Sequence, residues 1–154
     1  MKEPTTASFH RKESKMDKAL IEKHLYNDSI PQAVRFVASI DDEESLYAYA
    51  NEYNWDNGFE VPEAILQNKN CSLSIALLLF HYSDGVLFLQ DRESAEGTKA
   101  WFGFVRNLYK KILSGSFPQG TVPFNPQLSR VQEFKLRKIL SKEELVFITP
   151  ITQP

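Results

Sequence analysis

One cysteine in 154 residues, Cys71, excludes an internal disulfide and any cysteine metal cluster, and leaves a small residue at a helix start. Three histidines, His10, His24 and His81, never fall at a metal-ligand spacing such as H-E-x-x-H. Long apolar runs are missing too: the longest uninterrupted one is Ile75 to Phe80, far below the roughly 20 residues of a membrane span. Met1 to Asp17 holds charges but no apolar h-region, so it does not read as a secretory signal. No G-x-x-x-x-G-K-[ST], G-x-G-x-x-G or G-x-S-x-G occurs, which removes the usual signs of nucleotide binding and of an acyl-transfer nucleophile. A cytoplasmic protein without a cofactor is the expectation.

What is present is an ordinary globular composition, 42% hydrophobic, 25% charged and 12% aromatic. The formal net charge of −2 hides an asymmetry. Residues 1–98 hold 9 Lys/Arg against 17 Asp/Glu, whereas residues 99–154 hold 9 against 3. Between Asp28 and Glu63, nine carboxylates face only Arg35. Asymmetry of this kind bears on association and steering rather than on fold.

Hydrophobic periodicity predicts an all-α protein: a compact bundle of about six to seven helices, stacked as helical hairpins around a buried helix at about 72–83. Residues 1–14 read as a flexible leader and 15–154 as a single helical domain. Met16, Leu20 and Leu25 mark a first helix ending near Asn27. Ser29 is an N-cap with Pro31 in the first turn, and Ile30, Ala33, Val34, Val37 and Ala38 follow at i, i+3, i+4, i+7 and i+8. Asp41-Asp-Glu-Glu44 opens the next helix, with Leu46, Ala50 and Tyr53 inward.

Asp56-Asn57-Gly58 turns the chain, with Trp55 and Phe59 expected to plug the core. A short helix restarts at Pro62 and ends at Asn68-Lys-Asn70. Ser72 caps a helix from Leu73 to Tyr82 in which only Ser74 is polar before His81, and Asp84-Gly85 stops it. Two long basic amphipathic helices are expected over 96–140. The first runs from Glu96 to Leu113 with Trp101, Phe104, Val105, Leu108 and Ile112 on one face. The second is capped by Asn125-Pro126 and carries Val131, Phe134 and Ile139 inward.

Three constellations merit weighing. His81 with Asp84 three residues on, or with Glu60, could form a base and its orienter; the plainer reading is a histidine satisfying helix-end carbonyls. Asp56, Asn57, Gly58 and Glu60 look superficially like part of a calcium loop but lack its alternating ligands and distal glutamate, so no metal is expected. Residues 99–142, with Lys99, Arg106, Lys110, Lys111, Arg130, Lys135, Arg137, Lys138 and Lys142 beside Tyr109, could line an RNA-binding face. Net negative charge argues against nucleic acid, and solvated helix faces are the plainer reading.

The stretch Tyr53-Asn-Trp-Asp-Asn-Gly-Phe-Glu-Val-Pro62, then Asn70-Cys71, Ala76-Leu77-Leu78 and Asp84-Gly85, resembles an uncharacterised bacterial family, the domain of unknown function 4274, over about residues 43–89. The resemblance implies a compact helical unit and no active site. Small bacterial domains of this kind look like antitoxin or immunity proteins. The expectation is therefore a non-catalytic protein-binding module, an immunity protein that occludes a basic, nuclease-type toxin. The residues expected to carry it are Asp41, Asp42, Glu43, Glu44, Glu52 and Asp56, with Tyr47 and Tyr49 as aromatic anchors.

Overall fold

A computed structural model describes residues 16–93 and 98–152. The leader at 1–14 and the expected helix start at Glu96 lie outside the described residues. Among these the protein is all-α: the one pairing of extended backbone is an isolated antiparallel bridge between Phe124 and Ile151. The chain gathers into two compact units, residues 1–70 and 71–154.

The first unit holds α1 (Lys18–Asn27), α2 (Ile30–Ser39), α3 (Glu43–Glu52), a 3-10 turn (Trp55–Asn57) and α4 (Glu60–Gln67). The first three helices each begin where a short polar side chain meets an orphan N–H, while α4 follows Phe59 without such a cap. Asp17 accepts from the Ala19 N–H, and Ser29 forms a reciprocal capping box with Gln32. Asp42 accepts from the Ser45 N–H. Packing alternates along the chain, with α1 against α3 and α2 against α4. Val37, Leu46, Ala50, Val61 and Ile65 are fully buried there. Asn68 secures the end of α2, its Nδ2 donating to the carbonyls of Val37 (2.8 Å) and Ile40 (2.9 Å).

The turn between α3 and α4 is built from the most distinctive residues of the sequence. Asn54 accepts from the Asp56 N–H through its side chain (3.0 Å), and the Tyr53 hydroxyl donates to the Gly58 carbonyl (2.7 Å). Tyr53, Trp55 and Phe59 meet edge to face at 5.4 and 6.2 Å. Trp55 and Phe59 are half-buried, at the margin of the core rather than plugging its centre. Gly58 sits at φ 94°, ψ −166°, a region open essentially to glycine alone. Gly58→Ala is therefore expected to cost about 1–3 kcal/mol. No neighbouring atom lies within 4 Å of where the new Cβ would stand, so the loss is backbone strain alone. Chemical denaturation followed through Trp55 in a Trp101→Phe background measures it.

The second unit holds α5 (Leu73–Tyr82), α6 (Gly85–Gln90), α7 (Lys99–Leu113), α8 (Arg130–Ile139) and a terminal 3-10 segment (Glu143–Ile148). Ser72 caps α5 as expected, and every residue from Ser74 to Phe80 is buried. The one polar member, Ser74, donates to the Val122 carbonyl (2.6 Å), so its burial leaves no orphan hydroxyl. Helix α7 buries Phe104, Val105, Leu108 and Ile112, exposes Lys99, Arg106, Lys110 and Lys111, and ends before Gly115 at φ 77°.

Asp84-Gly85 stops α5 as expected, and a further helix follows at once: Asp84 takes the left-handed conformation (φ 64°) and Gly85 opens α6. A Cβ on Gly85 would overlap the Phe80 ring, so glycine is there for close packing. The last long helix is capped by Ser129 in a box with Gln132, not by Asn125-Pro126. Its buried residue is Leu136, while Val131, Phe134 and Ile139 face out at 61%, 61% and 52% exposure.

Candidate functional site

The expected site residues do not all lie on one surface. Asp42 is committed to capping α3, and its neighbour Ser45 accepts from the Met16 N–H (2.7 Å). Tyr49 is 1% exposed, its ring 5.7 Å from Phe36, so it is a core residue and no surface anchor. Burial, with Asp28 and Tyr53 adding to it, pushes its phenol up to about 12. Asp41 is exposed just ahead of the α3 cap, and Asp56 lies on the exposed 3-10 turn beyond the other end of α3.

Glu44, Tyr47 and Glu52 do converge. With Ala48 and Asn51 they occupy positions i, i+3, i+4, i+7 and i+8 of α3, one continuous stripe. Met16, Lys18, Ile21, Glu22 and Leu25 oppose them from α1 and the residues leading into it, and the two rows line a groove of about 350 Å³. Its floor is apolar (Ile21, Leu25, Ala48, the half-buried Tyr47 ring), and among the described lining residues Glu22, Glu44 and Glu52 stand with one cation, Lys18. Asp41, Asp42, Glu43 and Asp56 are not among the lining residues.

Glu22 escaped the sequence reading because nothing local says that α1 pairs with α3. Its signal was the 18, 21, 22, 25 spacing, which matches the stripe on α3. An apolar trough with a carboxylate rim suits a ligand that is itself apolar and cationic, such as a lysine- or arginine-bearing helix or loop.

His81 is held differently. Its Nε2 donates to the Phe147 carbonyl (2.7 Å), and its ring lies 5.9 Å from Phe80 and 5.4 Å from Phe124. Burial pushes the imidazole below its ordinary value, against the hydrogen bond to Phe147. No hydrogen bond joins it to Asp84 among the described residues, and Glu60 belongs to the other unit. Nor does any group of three or more His, Cys, Asp or Glu among the described residues have the arrangement of a metal site.

The strongest polar constellation of the second unit was not anticipated. Glu144, 8% exposed, accepts from Arg92 Nη1 (2.9 Å) and from the Tyr109 hydroxyl, while its other oxygen accepts from the Ser141 N–H (2.9 Å). Tyr109 stacks on Phe147 with centroids 5.2 Å apart, and the Arg92 guanidinium lies 5.4 Å from the Tyr109 ring centre. Burial alone would raise the Glu144 carboxyl, but the bonds from Arg92, Ser141 and Tyr109 outweigh it and hold the group at about 2. Tyr109, offered by the sequence as an RNA-stacking ring, is engaged on Phe147.

These groups set an acid response. Both His81 and Glu144 have folded-state values below their unfolded ones, so each adds stability at higher pH that is lost on acidification. The second unit is expected to weaken first as pH falls below about 6.5, where unfolded His81 protonates. A further loss, on the order of 2–3 kcal/mol, comes from Glu144 between about 4.5 and about 2. Trp101 fluorescence in a Trp55→Phe background reads this unit, and Glu144→Gln removes the second step.

An all-α protein with a carboxylate-rimmed groove in its first unit is the class that fold and site define. Residues 41–113 match the family model of a domain of unknown function (DUF4274). The match encloses every residue that carried the resemblance and extends through α7. No curated protein and no solved structure gives a match. The family-like residues have architectural parts here: Tyr53, Asn54 and Gly58 shape a turn, Asn70 donates to the Ile40 carbonyl, Cys71 and Ala76 to Leu78 are buried, and Asp84-Gly85 links α5 to α6. No helix among the described residues is long and apolar enough to cross a membrane.

Proposed function

We propose that this protein is a non-catalytic cytoplasmic binding module that seats a basic protein domain in the groove between α1 and α3. The specific form of the proposal is an immunity or antitoxin protein that occludes a basic, nuclease-type toxin. The observation that carries it is the convergence of Glu22, Glu44 and Glu52 on an apolar floor beside Tyr47. Carboxylates so placed imitate a phosphate backbone towards a cationic active site, and the surplus of negative charge in the first unit steers encounter. Tyr47 supplies the amphipathic ring that interface centres favour.

Affinity capture from native lysate on the immobilised full chain tests this. One dominant basic protein is expected at low salt, with most of it released by 0.5 M salt as screening shortens the Debye length. Recovery of no basic protein, or capture indifferent to salt, overturns the proposal.

A further inference from the structure

Helix α8 presents an exposed apolar face. Its buried contact is Leu136, while Val131, Phe134 and Ile139 are each more than half exposed. At 100° per residue, Phe134, Lys138, Val131, Lys135 and Ile139 fall in one arc of about 140°, so apolar and cationic side chains alternate on a single outward surface. Lys138 Nζ lies 4.5 Å from the centre of the Phe134 ring, which ties the ammonium to the most prominent apolar group. Such a ridge asks for an occupant with an apolar trough and carboxylates along its rim.

The same chain carries that trough. The groove between α1 and α3 has a floor of Ile21, Leu25, Ala48 and Tyr47 and walls bearing Glu22, Glu44 and Glu52. Its volume of about 350 Å³ is of the size that takes up a large side chain. We infer that the α8 ridge of one molecule docks in the α1–α3 groove of a second copy, Phe134 entering the trough and Lys135 and Lys138 meeting its carboxylates.

Two further points favour a second copy over an anionic lipid surface. The first unit carries 13 Asp/Glu against 8 Lys/Arg, which repels such a surface. The ridge is also only a ten-residue helix, short for an interfacial anchor. The contact is heterologous, each molecule offering one ridge and one groove, so it propagates or closes but never saturates at a self-matched patch. The inference rests on the groove being a docking surface, not on the partner proposed above, and it makes self-association compete with that partner.

Sedimentation velocity of the full chain between about 10 µM and 1 mM, the range of weak specific contacts, tests it. Average mass is expected to rise above the monomer at 50 mM salt and to fall back at 500 mM. Phe134→Ser/Lys138→Glu and Glu44→Lys/Glu52→Lys, all at exposed positions, are each expected to stay monomeric. Mixed in equal amounts they are expected to form a two-chain complex, because each retains the half that the other lacks.

A monomer throughout, or variants that associate like the parent, overturns the inference. Co-flotation with phosphatidylserine vesicles through Phe134 and Lys138, in place of self-association, also overturns it and assigns the ridge to lipid. Capture of a basic protein by the Phe134→Ser/Lys138→Glu variant reads the groove separately, so failure of one proposal is distinguishable from failure of the other.

Discussion

Glu44→Lys/Glu52→Lys is expected to weaken capture of the basic partner by at least about 100-fold at low salt while leaving the fold intact. Both side chains are exposed and lie on the α3 stripe opposite α1, so reversal changes the groove's sign without disturbing the packed face of Leu46, Ala50 and Tyr53. The effect has two parts. Steering is lost, which slows association, and like charges are brought together at contact, which costs several kcal/mol. The matched control is Asp41→Lys/Asp56→Lys: it makes the same charge change at two exposed positions outside the groove, and is expected to shift affinity by less than about tenfold. Surface plasmon resonance on the captured partner separates the rate effect from the contact effect. Equal losses in the two variants would mean that net charge, and not the groove, governs binding.

Gly85→Ala is expected to destabilise the second unit by about 3 kcal/mol or more, the upper range for overpacking a well-filled core. The new methyl would overlap the Phe80 ring, and Phe80 is fully buried with the Phe147 ring centre 4.6 Å from its own. The ring has little room to retreat. The argument predicts a rescue: Phe80→Leu costs stability alone, but in its background Gly85→Ala becomes nearly neutral, because the colliding atoms are gone. Thermal unfolding of the four proteins gives the coupling energy directly, expected at about 3 kcal/mol, the top of the range for contacting residues. Additive losses would show that the collision is relieved by backbone movement and that Gly85 is needed for conformation instead.

How far the sequence carried depends on whether the signal was local. Ser29 and Ser72 announced their helices because capping is a matter of three or four residues, and Leu73–Tyr82 announced its burial because it is apolar on every side. Asp84-Gly85 was legible as a break, but the need for its glycine was not, since the reason is a ring five residues away in sequence. The beginning of α8 was misplaced for a similar cause: Phe124 is engaged in a bridge with Ile151, and the helix waits for Ser129. Its stripe of Val131, Phe134 and Ile139 was read as inward because periodicity reports that a face is apolar, not what covers it. Charge clustering marked the stretch from Asp41 to Glu63 but could not say which carboxylates cap a helix, as Asp42 does, and which line a groove. That depended on the pairing of α1 with α3, and Glu22 entered only through it.

The salt dependence of the association rate between the full chain and its captured partner probes the groove most directly. The rate constant is expected to fall by at least tenfold between 50 and 500 mM salt, with most of that dependence gone in Glu44→Lys/Glu52→Lys. A rate unchanged across that range, or a slope that survives the double substitution, would contradict a carboxylate-rimmed docking groove between α1 and α3.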